Sequence, residues 1–339
     1  MEIGVLMVPE PERTAQTARM IEELGLARVV FADSQNLAPE VWGQLMLAAT
    51  ATKRVQLGPG VTNSVTRDPA VTASAAVALQ AESHGRAVLG IGRGDSSVQR
   101  IGKREDSVAG FERYLVTVQS YLRGETVDRD GFGSRLEWLH RVSVPKVPVE
   151  VAATGRKVIE VAARHADAIC FAVGADPEHL ADVLAHARDA ARAAGRDPAS
   201  LRYGAFINCV VHDDVQTARD AVRGSLATFA RFSSFKGSRI ERLPVPLQGA
   251  ARFLRENYDM RNHTRTGVRH AAGLSDEFVD WFGIAGPAAH AVTRFRRLKA
   301  LGLDFCTVIP GSPGMPHEVA AASLMSLATA IAPALRPVA

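Results

Sequence analysis

The sequence predicts an α/β protein built as a single (β/α)8 TIM barrel with an insertion between its seventh and eighth strands. Three observations predict it. Short, strand-like and largely apolar runs recur along the chain, and the one at 87–91 has no polar side chain at all, as expected of a strand covered on both faces. Each is followed by a stretch with helical spacing and recognisable helix ends. Eight such units fit into 339 residues, with 47% hydrophobic content to fill the core, which suits one barrel domain over 1–339.

In chain order, residues 3–8 predict the first strand and 12–24 its helix, stopped by Gly25. Residues 28–32 and 39–52 form the second unit, and 55–61 and 70–83 the third, its helix entered from Pro69. The fourth strand is 87–91, followed by a helix over 108–122. A polar stretch, 124–145, interrupts the rhythm. Strands at 147–152, 168–173 and 201–211 then alternate with helices at 157–165, 177–194 and 215–232. Residues 305–309 and 318–331 supply the eighth pair. Between them, at about 233–283, a segment with Lys236-Gly237-Ser238-Arg239, a helix carrying Phe253 and Tyr258, and Arg261-Asn262-His263-Thr264-Arg265 breaks the alternation. Lying between strands seven and eight, it belongs over the barrel end that carries the βα loops. There it acts either as a lid or as a packing element.

Composition narrows the function. A net charge of +4 with dispersed arginines does not form the basic stripe of a nucleic-acid protein. No membrane-length apolar run or secretory leader is visible, so a cytoplasmic protein without a membrane partner is expected. Cys170, Cys209 and Cys306 sit in apolar runs and read as buried thiols. The ten histidines are scattered, and no metal site is expected.

The chemistry is most visible in residues 86–97 (RAVLGIGRGDSS), where a buried strand passes into a glycine turn. Gly92 and Gly94 allow close backbone approach and positive φ, and Asp95, Ser96 and Ser97 add polar groups where α/β proteins bind ligands. A dinucleotide fingerprint fails on spacing, because the third glycine comes two residues after the second and the following acid, Glu112, falls in a helix. A simple tight turn is the alternative. Asp33 and Ser34 end the second strand, as functional residues or as a turn and helix cap. Thr154-Gly155-Arg156-Lys157 opens a helix directly after the fifth strand, where free N–H groups and two cations suit a phosphate, or where the cations are simply solvated.

Taken together, the motifs Phe31-Ala32-Asp33-Ser34, Gly60-Val61-Thr62-Asn63-Ser64-Val65-Thr66-Arg67-Asp68-Pro69, Gly90 to Ser96, Ala152-Ala153-Thr154-Gly155-Arg156-Lys157, Ala166-Asp167-Ala168 and Phe282-Gly283-Ile284-Ala285-Gly286-Pro287 give a chain that resembles the bacterial luciferase-like superfamily. Within it the resemblance is to the coenzyme F420-dependent reductases related to methylenetetrahydromethanopterin reductase. It implies an F420-dependent oxidoreductase that moves hydride between deazaflavin C5 and a small organic substrate. A reduced-FMN monooxygenase and a non-catalytic F420-binding protein are the alternatives.

The resemblance further implies a cis peptide at Gly60–Val61 behind the ring. It implies cofactor contacts from Asp33, Gly60, Val61, Thr62, Asn63, Gly92, Gly94, Asp95, Ser96, Ala153, Thr154, Gly155 and Arg156. The last stands where the family often has proline. Asp33 and Ser34 then lie near the reactive side of the ring. In the insertion, Tyr258 and His263 are expected to shape substrate choice, with His263 as a candidate proton donor because an ordinary imidazole titrates near ~6.5. A homodimer is implied by the same resemblance.

Overall fold

The computed structural model describes residues 1–233, 238–241 and 243–336. Lys236 and Gly237 of the insertion lie outside the described residues. Eight parallel strands form the barrel: β1 (Glu2–Met7), β2 (Arg28–Phe31), β3 (Gln56–Pro59), β4 (Leu89–Gly92), β5 (Val149–Ala153), β6 (Ala168–Phe171), β7 (Arg202–Val211) and β8 (Phe305–Ile309). They are ordered β3-β2-β1-β8-β7-β6-β5-β4. The ring closes where Leu57 bridges Ala87 in parallel, with the Leu57 N–H donating to the Arg86 carbonyl at 3.0 Å and the Val88 N–H to the Leu57 carbonyl at 2.8 Å. A two-residue strand, Thr62–Asn63, completes the closure by pairing with Ile91 and Gly92.

Helices α1 (Thr14–Glu23), α2 (Val41–Ala51), α3 (Pro69–Glu82), α4 (Val108–Leu122), α5 (Arg156–His165), α6 (Pro177–Ala193) and α7 (Val215–Phe232) surround the strands. Their ends follow local chemistry. Asp68 and Asp176 cap α3 and α6 ahead of a proline in the first turn, and Ser107 and Asp214 cap α4 and α7. After α1, Gly25 takes φ 74, the left-handed conformation expected of a helix stop.

Alternate strand residues face outward into the main core between strands and helices, and the others face the barrel axis. Leu6, Val61, Ala152, Ala168, Cys170, Ala172, Phe206, Phe305 and Ile309 form that inner cluster. All three cysteines are buried free thiols. At the amino-terminal end of the barrel, Arg28 Nη1 donates to Glu150 Oε2 at 2.9 Å with both side chains buried. The Arg28 guanidinium lies 4.5 Å from the centre of the Phe305 ring. Room for it exists because residue 4 is glycine: a Cβ there would stand 1.8 Å from Arg28 Cγ.

Several elements differ from the sequence reading. The third strand, expected to run through 61, breaks at a cis Gly60–Val61 bond and resumes as Thr62–Asn63. The polar stretch after α4 folds into an antiparallel hairpin, Val127–Arg129 with Phe132–Ser134, turned by Asp130 and Gly131 at positive φ. Before β8 the chain adds a strand, Ile284–Gly286, and a helix, Ala288–Ala300. The strand pairs with Cys209–Val211, because β7 outlasts its other neighbours and its last residues need a partner. The helix buries Ala291, Phe295 and Leu298 at helical spacing. The last helix, expected over 318–331, is α-helical as His317–Ser326 and continues as a π turn through Leu327–Ile331.

Segment 238–283 packs on α7 through its own apolar cluster, in which Val222 and Leu226 meet Leu247, Leu254, Phe278 and Phe282. Its helices include Val245–Asn257 and Asp276–Phe282, so Tyr258 lies just past a helix end. Polar contacts tie this region to loops that follow barrel strands. Arg100 Nη2 donates to the Met260 carbonyl at 2.5 Å, Ser233 Oγ to the Ala172 carbonyl at 2.9 Å, and the Thr266 N–H to the Pro313 carbonyl at 3.1 Å. All three loops leave the carboxyl ends of strands, so the segment sits at the end of the barrel where βα loops gather. Among the described residues, no helix is long and apolar enough to cross a membrane.

Candidate functional site

The residues singled out in the sequence follow the carboxyl ends of β2, β3, β4 and β5. Those strands are neighbours in the closed ring. The topology therefore gathers Asp33 and Ser34, Gly60 to Asn63, Gly92 to Ser96, and Ala153 to Arg156 along one side of the barrel mouth.

Within this arc, three polar atoms are buried without a hydrogen-bond partner: Asp33 Oδ2, Ser34 Oγ and Thr62 Oγ1. Burial raises the Asp33 pKa above the usual aspartate value, opposed by the nearby Thr62 hydroxyl and the Arg67 charge and reinforced by Glu40. A carboxyl in that setting can hold a proton and form a hydrogen bond to a water or ligand in the mouth. Across the axis, Asn208 Oδ1 and Thr307 Oγ1 are also buried and unpartnered, on β7 and β8.

The β4 loop is shaped by glycine as expected, but at only one of two places. Gly94 has φ +93, and a Cβ on it would meet Val98 Cγ2 at 2.5 Å. Gly92 ends β4 without a positive φ, contrary to the expectation, and its backbone is occupied in pairing with Asn63. Asn63 is engaged by the protein itself: its Oδ1 accepts the N–H groups of Val65 and Thr66 at 2.9 and 3.0 Å, and its Nδ2 donates to Ser97 Oγ at 3.3 Å. The Asn63 amide thus shapes the β3 loop rather than reaching into the mouth. Ser96 opens a short helix, Ser96–Gln99. Asp95, expected to face the cofactor, is paired with Arg231 of α7 through contacts of 2.7 to 2.8 Å.

At the β5 end, Ala153 lies in the strand, Thr154 follows it, and Gly155 is the N-cap residue of α5, with no side chain capping the helix. Its φ of −109° and ψ of 146° suit any residue. Glycine there keeps the backbone approachable and serves no conformational need. Arg156 turns away, its Nη2 gripping both oxygens of Asp182 at 2.9 Å on α6. The side chain expected to help hold a phosphate is instead an inter-helix tie.

His263 and Tyr258 come together in the insertion, with Tyr258 Oη 2.6 Å from His263 Nδ1 and Thr228 Oγ1 2.9 Å from Tyr258 Oη. The expectation that His263 exists in both protonation forms near neutrality is not met. Burial lowers its pKa to about 3, helped by the charges of Arg231 and Arg100 and by His270. Sequence reasoning missed Arg231, which ion-pairs with Asp95 and lies with its guanidinium carbon 4.8 Å from the Tyr258 ring centre. It also missed Gln35, whose Nε2 donates to the Ser97 carbonyl at 2.7 Å and ties the β2 and β4 loops together. Neither carried a local signal, since each acts through a partner distant in sequence.

The luciferase-like monooxygenase family matches residues 3–304. The chain is 28% identical to the 5,10-methylenetetrahydromethanopterin reductase of Archaeoglobus fulgidus, over 94% of this chain and 95% of that one. It is 34% identical to the phthiodiolone/phenolphthiodiolone dimycocerosates ketoreductase of Mycobacterium kansasii, over 59% of this chain and 58% of that one. Among solved structures, an F420-dependent secondary alcohol dehydrogenase in complex with an F420–acetone adduct superposes with a TM-score of 0.78 at 20% identity, covering 99% of both chains. By the extent of the family match, with which the fold agrees, the chain belongs to the luciferase-like monooxygenase family.

Proposed function

We propose that the protein is an F420-dependent oxidoreductase acting on a small organic substrate. The observation that carries this reading is the set of buried, unpartnered polar atoms of Asp33, Ser34 and Thr62 at the mouth of a luciferase-like barrel. Such atoms are costly unless a ligand completes them, by roughly 1–3 kcal/mol each. F420, when bound, supplies a hydride at its deazaflavin C5. The F420 dependence named for the similar alcohol dehydrogenase structure supports F420 over FMN.

In this reading the backbone of Gly60 and Val61 and the loop around Gly94 would hold the deazaflavin. The free N–H groups at the start of α5 receive a phosphate. Asp33, its pKa raised by burial, holds or passes a proton beside the ring, and Ser34 orients the bound group. The segment over the mouth excludes water while donor and acceptor carbons are held in register.

A screen of carbonyl compounds, alcohols and imines with reduced F420, followed at the F420 absorbance band, tests the proposal. F420 oxidation with at least one substrate class, lost in Asp33→Ala, is the expected result. No turnover with any class, alongside turnover with reduced FMN and oxygen, would replace it with a monooxygenase.

A further inference from the structure

The polar pair in the insertion has a geometry that favours one direction of hydrogen bonding. The Tyr258 Oη–His263 Nδ1 separation of 2.6 Å is within the range of O–H donors and shorter than usual for an N–H donor to oxygen. In the arrangement this distance favours, Tyr258 donates to Nδ1, Thr228 donates to Tyr258, and the imidazole hydrogen resides on Nε2. Among the described residues Nε2 makes no hydrogen bond. Groups from several elements surround the ring: Arg231 from α7, Arg100 from the β4 loop, and His270 and Tyr258 from the insertion itself. Asp95 faces Arg231. Rings continue inward from His263, with Phe232 at 6.1 Å, Phe229 at 5.4 Å from Phe232, and Phe206 at 5.7 Å from Phe229. Phe206 belongs to the inner barrel cluster.

We propose that His263 Nε2–H is the donor that binds an uncharged carbonyl or hydroxyl oxygen of the substrate, whose apolar body lies along Phe206, Phe229 and Phe232, and that Asp95 is a positioning residue for this donor. This rests on the proposed hydride-transfer site at the barrel mouth. Asp95 fixes Arg231, whose guanidinium is stacked against the Tyr258 ring, and so links the β4 loop to the donor. A histidine kept neutral can hydrogen-bond an oxygen without attracting anionic competitors, as a cationic one would. The depressed His263 pKa agrees with that role.

Long-range proton–nitrogen spectra of the full-length, 15N-histidine-labelled protein test the inference without requiring turnover, with His263→Gln assigning the signal. Wild type is expected to show a neutral Nε2–H imidazole from pH 7.5 down to pH 5, and Tyr258→Phe to lose that tautomer bias. Added cyclohexanol is expected to shift the Nε2 resonance, whereas cyclohexanecarboxylate is not. The apparent affinity for cyclohexanol should fall about tenfold in Arg231→Gln and in Asp95→Asn, with partial recovery in Arg231→Lys. A cationic or Nδ1–H His263 at pH 6, or an equal response to alcohol and carboxylate, overturns the inference. Unchanged cyclohexanol affinity in both Arg231→Gln and Asp95→Asn overturns the role of Asp95. Failure to bind F420, with tautomer and cyclohexanol response intact, instead overturns the proposed cofactor and leaves the donor assignment standing.

Discussion

The two ends of the barrel treat a buried carboxyl group differently. At the amino-terminal end, Arg28 and Glu150 are both buried and bonded at 2.9 Å, and the Phe305 ring lies under the guanidinium. Burial works against the Arg28 charge, but Glu150 more than offsets it, and its pKa rises. At the carboxyl end, Asp33, Ser34 and Thr62 each keep a buried atom with no partner, and burial pushes the Asp33 pKa up. The Glu150 carboxylate is thus met by a cation inside the barrel, although Arg28 Nε and Nη2 stay without a partner, whereas Asp33 Oδ2 at the mouth has no hydrogen-bond partner.

The comparison breaks most visibly if the floor pair is removed. Arg28→Met strands Glu150 in the barrel and should cost about 3–5 kcal/mol in denaturant unfolding, while adding Glu150→Leu should return much of the loss. A loss below about 1 kcal/mol for the single variant would mean that the pair does not hold the floor.

At the other end, the expected effects fall on binding. Gly155→Val crowds the start of α5 and should weaken F420 binding at least tenfold, about 1.4 kcal/mol, with unfolding unchanged. Unaltered affinity in the folded variant would move the phosphate elsewhere.

Asp33→Asn sharpens the contrast through pH. A carboxyl whose folded pKa is raised contributes its full stability below the unfolded value of about 3.8 and loses it as pH rises through the folded pKa. The amide that replaces it has no such proton to lose, so the variant should be more stable than wild type at pH 7 and lose that advantage below about pH 3.8. Hydride transfer should fall at least tenfold at the same time. Equal stability of the two proteins at pH 7 would show that the mouth imposes no penalty on the carboxylate.

The smallest effect belongs to Arg156. Its exposed pair with Asp182 makes Arg156→Ala worth less than about 1 kcal/mol in stability, and F420 affinity should stay within about twofold. A tenfold loss of affinity would restore the guanidinium to the phosphate site.

How much of this was legible in the sequence follows the range of the interactions. All eight barrel strands announced themselves, because strands covered on both faces are mostly apolar, with few interruptions such as Arg28, Glu150, Asn208 and Thr307. Residues 305–309 and helix 215–232 were placed to the residue. The strand Ile284–Gly286 was not seen, because three residues carry no period and its existence depends on the end of β7 lacking a partner. For Ala288–Ala300 the signal was present in Ala291, Phe295 and Leu298, masked by the polar run between them.

At the site, glycine loops and the Asp33–Ser34 ending were readable from local chemistry. The fate of individual side chains was not. Asp95 is bound to a residue 136 positions away, and Arg156 to one 26 positions away. Arg231 looks like one more solvated basic residue on a helix until the fold brings Asp95 and Tyr258 against it.

The central claim is that the incomplete end of the barrel is completed by F420. Parallel fluorescence and absorbance titrations of the purified protein with oxidised F420 and with FMN test it most directly, with Asp33→Ala and Arg156→Ala alongside. Tighter binding of F420 than of FMN is the expected result, weakened by Asp33→Ala and indifferent to Arg156→Ala. Tight binding of FMN with no binding of F420 would contradict it.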